Sequence, residues 1–595
     1  MRRYLMVGGL VLGLATCAHR ARPVNVVIVA VDSLRPDHLG CYGYGKPTSP
    51  EIDGLAARGI LFERVIGQAS WTTPSFGTIL TGLYPSQHGA LALNNMMRQT
   101  VPTLATVLKA GGYATAGFVN APALSPDYGF ARGFDSYDIA EPEARGAART
   151  TEEALAWIAR TDARPFFLFL HYFDAHLPYS PPSGYDRFLD PGYRGAVGSS
   201  FDPDRLAPNR ETLLADMGTW SAADWDRVKA LYDGEIRFTD DAIGTLIRGL
   251  EARGLKGNTL IVFLSDHGQE FFEHGAYGHG HSLYGEVLSV PLVISMAGRL
   301  PEGVRVREQV RLVDVVPTIL DILGREEMPD LEGVSLLPLT RGEGLAAARK
   351  GMVLPPQVAF AEGVRLGGEL KALTTASTKV IHEVASGRTL AFDLLEDPEE
   401  QRVLDPRDTS YPRDAARGVL DAVFDMTETW HVEIVTGGEP HVFDIKAGAL
   451  RGSLKGKIGF ARAVDQDGMY RVVDSAPVSA LGRSMLDIEG LGVDTCFALV
   501  FKSEPERFPV VFDVKVDGRP ATEITYLGAS LARADTMPLI QNPGKADCRS
   551  RGKPWSRPEP PYVLLWLGGE AYSGEADASL GDRTKRGLRA VGYMQ

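Results

Sequence analysis

Three near-continuous apolar runs, at residues 24–31, 165–170 and 259–264, constrain the fold of this chain more than any other feature. They are rich in Val, Ile, Leu and Phe, as strands buried on both faces of a parallel sheet must be. Each is followed at once by groups able to do chemistry: Asp32 after the first, residues 171–176 with two His after the second, Asp266-His267 after the third. Helical patterns at 49–58, 150–159 and 221–253 lie between them. The alternation predicts an α/β sandwich with crossover helices. In such a sheet a ligand site belongs at the carboxyl ends of the strands, where these groups fall.

The chain has 595 residues, more than one hydrophobic core normally supports, so two or more domains are expected. From about Trp430 the texture changes to short alternating runs, such as 430–435, 470–473 and 510–516, separated by Gly, Asp and Pro. This predicts a β-rich, sandwich-like module over 428–575, serving either stability or glycan and surface binding. Residues 192–210, rich in Gly, Pro and Asp, read as a loop that either covers the site or is a passive excursion. A net charge of -13 and the lack of a basic stretch interleaved with aromatics argue against nucleic acid as a partner.

Residues 1–23 read as a targeting segment outside the fold. Arg2 and Arg3 precede an apolar run at 4–15 that is too short to span a bilayer, the pattern of a secretory signal. Leu14-Ala15-Thr16-Cys17 resembles a bacterial lipoprotein cleavage box, with Thr where Gly or Ala is usual. The expectation is an exported protein, in the periplasm or on the outer membrane, with a lipid anchor at Cys17 as its membrane contact. A plain cleaved signal and an uncleaved anchor stay open. Cys496 and Cys548 share the C-terminal region, and an oxidising compartment permits a bridge between them. Cys41 reads as a buried small hydrophobe.

A set of ordered motifs completes the pattern. V-D-S-L-R-P-D-H-L-G, at 31–40, is followed by Pro50-Glu51-Ile52-Asp53 and then by Ala69-Ser70-Trp71-Thr72-Thr73-Pro74-Ser75-Phe76, which runs into Thr81-Gly82. Tyr232-Asp233-Gly234-Glu235, L-S-D-H-G at 264–268, Val313-Asp314 and Asp397-Pro398-Glu399-Glu400 come later in the same order. The chain resembles sulfatases and related members of the alkaline phosphatase superfamily. That resemblance implies an alkaline-phosphatase-like catalytic domain over 24–411, with a C-terminal subdomain at about 305–411. It also implies a tail helix at 576–595 that closes the chain after the β module.

The resemblance places Thr72 where sulfatases carry the Cys or Ser that is oxidised to formylglycine, and Phe76 where they carry Arg. A threonine cannot become an aldehyde, so the frame is that of a sulfatase while the nucleophile is an ordinary hydroxyl. Pro74 sits as at a helix start, which would put Thr72 near the positive end of a helix dipole. Ser70, Thr73 and Ser75 are alternative hydroxyls, with helix capping as their structural role.

Asp32, Thr72, Asp266 and His267 would supply three oxygens and a nitrogen to one divalent ion. That mixed set favours Zn or Mn, with Ca or Mg also open. Here Ser33 follows Asp32 where sulfatases proper have a second Asp. His176, in an H-x-P context, matches a substrate-binding His and is assigned to phosphate contact or leaving-group protonation. His279 lies where the family places a cationic Lys or His. His171, His274, His281 and His88 read as core or surface residues, and Asp174, His171 and His279 as a possible second ion site. Gly117-Phe118-Val119-Asn120 replaces the family's Gly-Lys-Trp-His, so two cations are missing, and Asn120 is a substrate-binding or a turn residue.

Three functions follow. The first is an exported metal-dependent hydrolase or phosphotransferase acting on phosphate esters of small molecules, lipid headgroups or glycans through Thr72. The second is a sulfatase in the strict sense, and the third an inactive surface- or glycan-binding protein.

Overall fold

The structure is a computed structural model. It describes residues 23–405, apart from short gaps at 93–94, 141–144, 162–163, 204–205, 207–208, 326–327, 329–330 and 384–387 and a longer one at 341–357. Beyond 405 it describes strands between 430 and 567. The leader with Cys17, the Cys496–Cys548 pairing and the tail at 576–595 lie outside the described residues.

The central sheet has eight strands: β1 (Asn25–Val31), β2 (Ile60–Ile66), β3 (Ala114–Val119), β4 (Ser136–Ile139), β5 (Phe166–Tyr172), β6 (Thr259–Leu264), β9 (Leu292–Ser295) and β10 (Val304–Arg311). β7 (Glu270–Phe271) and β8 (Tyr277–Gly278) form a small separate hairpin. The order across the sheet is β10-β2-β9-β6-β1-β5-β3-β4. β9 runs antiparallel to both of its neighbours and every other pairing is parallel, so the sheet is mostly parallel, as the sequence predicts.

Each strand of the centre feeds two cores. Val26, Ile28 and Ala30 of β1 pack on one face, with Phe76, Ile79 and Leu80 of α2 (Thr72–Thr81). Val27, Val29 and Val31 pack on the other, with Ile52 and Leu55 of α1 (Pro50–Ala57) and with the helices Ala147–Arg160 and Ala222–Ala252. That double burial explains why β1 lacks the alternation of a half-exposed strand. The helix Ala222–Ala252 also carries the Tyr232-Asp233 motif. The Tyr232 hydroxyl donates to the Ser33 carbonyl at 2.8 Å, and Asp233 accepts from the His38 ring, the Tyr44 hydroxyl and the Lys46 ammonium. These bonds fix the loop that leaves β1.

Tyr193 and Ala196, in the expected loop, dock on the start of that helix: Asp224 accepts from the Tyr193 hydroxyl and, at 2.9 Å, from the Ala196 amide. Among the described residues no helix is long and apolar enough to cross a membrane.

A second sheet holds β11 (Ala359–Glu362), β12 (Leu370–Thr374), β13 (Thr378–Glu383) and β14 (Thr389–Asp393), all antiparallel. β10, which begins near the expected subdomain start, pairs in parallel with β2 at the edge of the central sheet. Beyond 405 the described strands form a seven-stranded and a four-stranded sheet, with all pairings antiparallel but one. The β-rich reading of that region agrees with them.

His274 clasps the two parts. Its Nδ1 lies 2.7 Å from Glu286 Oε1, its Nε2 lies 3.1 Å from the Glu400 carbonyl, and its ring stacks on Tyr284. Both ring nitrogens face acceptors, which calls for the imidazolium. Burial opposes that charge, but the bond to Glu286 and its charge outweigh burial and raise the His274 pKa to about 9. The folded value lies above the unfolded one, so the stabilisation is complete below about pH 6.5 and is lost as pH rises through 9. The melting temperature of the parent should therefore exceed that of His274→Gln at pH 6 and converge on it by about pH 10. A constant gap across that range would refute the ion pair.

Candidate active site

The carboxyl ends of β6, β1 and β5, three adjacent parallel strands, deliver the acidic and His side chains to one point. Ala30 is opposite Leu264 on one side and His171 on the other, so Asp32 and Asp266-His267 emerge at the same level. All three side chains are fully buried, and their ligand atoms lie within 4.8 Å of one another. Among the described residues this is the group of acidic, His and Cys side chains placed to share an ion.

Ser33 holds the carboxylates together. Its hydroxyl donates to Asp32 Oδ1 at 2.9 Å and its amide to Asp266 Oδ1 at 3.3 Å. Its φ of 57° is a left-handed conformation, held by the Tyr232 hydroxyl bond to its carbonyl.

The electrostatics of this cluster call for a cation. Asp266 Oδ2 is buried without a hydrogen-bond partner. Burial and the neighbouring Asp32 charge raise the Asp266 pKa well above the carboxylate range. Asp32 is driven the other way: burial would raise it, but the His171 hydrogen bond at 3.1 Å and nearby ring charges hold it low. The Nδ1–H of His267 donates to the Gly268 carbonyl at 2.9 Å, which aims the Nε2 lone pair at the carboxylates. Two carboxylates and an imidazole, buried together and aimed at each other, suit a divalent ion.

Thr72 opens α2, after the extended Trp71. Its hydroxyl lies 3.4 Å from both Asp32 Oδ2 and His267 Nε2, at the positive end of the helix dipole. The neighbouring hydroxyls are committed to backbone carbonyls, Thr73 to Ala123 and Ser75 to Ala69, both at 3.0 Å. Phe76 fills the place of the family's Arg and meets the His171 ring edge-on at 5.1 Å.

His176 and His279 border the cluster. Their ring centroids are 4.8 Å apart, and His279 lies 4.3 Å from the His267 ring. The Nδ1 of His176 bonds the Leu177 carbonyl and that of His279 bonds Gln269 Oε1 at 2.9 Å, so proton exchange at both rings runs through Nε2. Burial lowers His176 to about 4 and His279 well below its usual value.

Asn120 is fully buried, with its amide nitrogen on Thr150 Oγ1 and its carbonyl on Arg145 Nε, both at 2.8 Å, so it braces the segment after β3. Asp174, His171 and His279, named for a second ion, are not among the side chains that the described residues bring together to share one: His171 Nε2 bonds Asp32, Asp174 Oδ1 accepts the Ala147 amide, and His279 Nδ1 bonds Gln269. His88 is a core residue behind α2, pushed by burial to about 3 and bonded to the Pro74 carbonyl.

Sequence reasoning missed Ser33, Gln269 and Arg365. Ser33 and Gln269 carried a local signal, since they stand one residue after Asp32 and two after His267.

The family model described as Sulfatase matches residues 24–325. The chain belongs to the sulfatase family. It is a hydrolase of that family, whose superfamily members are metal-dependent. A second model, for the C-terminal part of N-sulphoglucosamine sulphohydrolase, matches residues 272–410, which include the β11–β14 sheet. This sulfatase-family chain is 27% identical over 394 residues to human iduronate 2-sulfatase, covering 56% of this chain and 70% of that one. It is 26% identical over 394 residues to a multifunctional alkaline phosphatase superfamily protein of Trinickia caryophylli, covering 53% and 76%. The phosphonate monoester hydrolase of Agrobacterium radiobacter shares the fold, with a TM-score of 0.54 at 22% identity over 66% of this chain and 94% of that one.

Proposed function

We propose that this chain is an exported, divalent-metal-dependent hydrolase of phosphate esters, or a phosphotransferase, whose nucleophile is the Thr72 hydroxyl. The observation that carries this reading is the position of Thr72 Oγ1, 3.4 Å from Asp32 Oδ2 and from His267 Nε2 at the start of α2. Asp32, Asp266 and His267 would hold the ion, Zn or Mn by their mixed oxygen and nitrogen donors. When bound, it would supply positive charge for ionising the nucleophile and for the oxygens of the substrate.

The chain's own residues would do the rest. The Thr72 hydroxyl gives its proton to water and its oxygen attacks phosphorus in line, forming a Thr–O–P bond while the bond from phosphorus to the ester oxygen breaks. His176 or His279 passes a proton from Nε2 to the departing oxygen. Both rings are neutral in the free protein through burial, and an arriving anion favours their protonation. Water or another acceptor then takes the phosphoryl group and releases Thr72.

Strict sulfatase chemistry has less support. A sulfo-threonine has no second hydroxyl through which to expel sulfate, and Phe76 leaves the formylglycine motif incomplete. The substrate is an ester of a small molecule, lipid headgroup or glycan. The full chain should turn over phosphate mono- or diesters faster than the matched sulfate esters, with added Zn or Mn required after chelation. Faster sulfate-ester hydrolysis would overturn the reading. For the compartment, mass spectrometry of the cell-derived protein should find a lipid on Cys17. An unmodified start beyond Cys17 would remove the anchor but keep export, and retained Met1 in the cytosol would remove both.

A further inference from the structure

The catalytic domain has Phe76, Phe118 and Asn120 where resembling sulfatases carry cations. The second sheet reaches the site from the other side. Glu362 of β11 is opposite Lys371 of β12, and the pair is bonded at 2.6 Å, with Glu369 also on Lys371 at 2.7 Å. Glu362 is fully buried, takes the Ser86 amide at 2.7 Å and donates its own amide to the Gln68 carbonyl at 2.8 Å. The root of the β11–β12 loop is thus fixed to the segments flanking the nucleophile.

The tip is fixed as well. Gly363 and Gly367 turn the chain at φ of 82° and 94°, and the amides of Arg365 and Leu366 both donate to the Gly280 carbonyl at 2.7 Å. Gly280 follows His279 directly, and Trp71 precedes Thr72. A Cβ added at Gly280 would lie 3.2 Å from Arg365 Cβ, 3.4 Å from Trp71 Cβ and 3.6 Å from Arg365 Nε. The Arg365 side chain therefore lies against Gly280, the residue after His279, where Trp71, the residue before Thr72, also packs. Its Nε thus lies beside the backbone of the residue that follows His279.

We propose that Arg365 binds the oxyanion of the substrate, a cation lent by the C-terminal sheet in place of those the catalytic domain lacks. The identity of that anion as a phosphate rests on the phosphoester reading above. A guanidinium offers two parallel N–H donors to two oxygens of a tetrahedral anion, which a Lys cannot match.

The test is calorimetric titration of the metal-loaded full chain with inorganic phosphate and with sulfate. Arg365→Ala should weaken phosphate binding about 10–100-fold, with metal content unchanged, and Arg365→Lys should recover part of the loss. Arg365→Met keeps the stem against Gly280 and Trp71, so it reports the charge alone should Ala loosen the loop. In turnover the effect should appear in KM as well as kcat. Parent-like phosphate affinity in folded Arg365→Met would overturn the proposal. Parent protein that prefers sulfate, with Arg365→Met weakening sulfate, would keep Arg365 in its role and refute the phosphate reading instead.

Discussion

Thr72→Ala should lower phosphoester turnover by a factor on the order of 10^4–10^6, the scale of losing a covalent nucleophile. The substitution removes one hydroxyl and one methyl at a buried helix start, so the fold should persist and the loss should be chemical. Thr73 and Ser75 are not ready to replace it, because both bond backbone carbonyls. Ser70 is the informative control: its hydroxyl is buried without a hydrogen-bond partner, so it is the one competing nucleophile nearby. Ser70→Ala should leave turnover within a few-fold of the parent, and Thr72→Ser should keep most of it. Mass spectrometry of protein quenched during turnover should find phosphate on Thr72. Thr72→Cys alone should not create a sulfatase, and Thr72→Cys with Phe76→Arg is the fair attempt, because it restores the motif for oxidation. An unimpaired Thr72→Ala would move the nucleophile elsewhere.

The strands that carry this site were legible because burial on both faces removes the polar alternation, leaving β1, β5 and β6 as apolar runs. β5 extends to Tyr172, past the last residue of its run, since His171 and Tyr172 pair with Ala30 and Val31. No local signal reports that pairing. β10 was not legible in the same way: Val304–Arg311 alternates like a solvent-facing strand, yet it joins the sheet edge in parallel with β2. Asp32, Asp266 and His267 could be singled out because charged groups at the ends of buried strands are hard to explain as solvated, while Thr72 was placed by the resemblance to the sulfatase nucleophile segment. The bonds of Asn120 could not be read from its neighbours, since its partners, Thr150 and Arg145, lie 30 and 25 residues away. Arg365 was invisible, because its relevance arises only through the contact of a distant loop with Gly280.

Removing the carboxylates should have an effect as large as removing Thr72, and it separates stability from function. In metal-free protein Asp266 is buried beside Asp32 with an unpartnered oxygen, an arrangement that costs stability. Asp266→Asn keeps the acceptor for the Ser33 amide and removes the buried acid that must either carry charge beside Asp32 or take up a proton. Its metal-free form should therefore melt above metal-free parent, while it binds the ion far more weakly and loses turnover. Parent protein should gain about 4 kcal/mol when free metal exceeds Kd a thousandfold, so chelation should lower its melting temperature by several degrees. In Asp32→Ala with Asp266→Ala, chelation should change nothing, and elemental analysis should find the ion lost from about one per chain. A folded double variant with full metal content would show that the ion binds elsewhere, and with it the assignment of Asp32, Asp266 and His267 would fall.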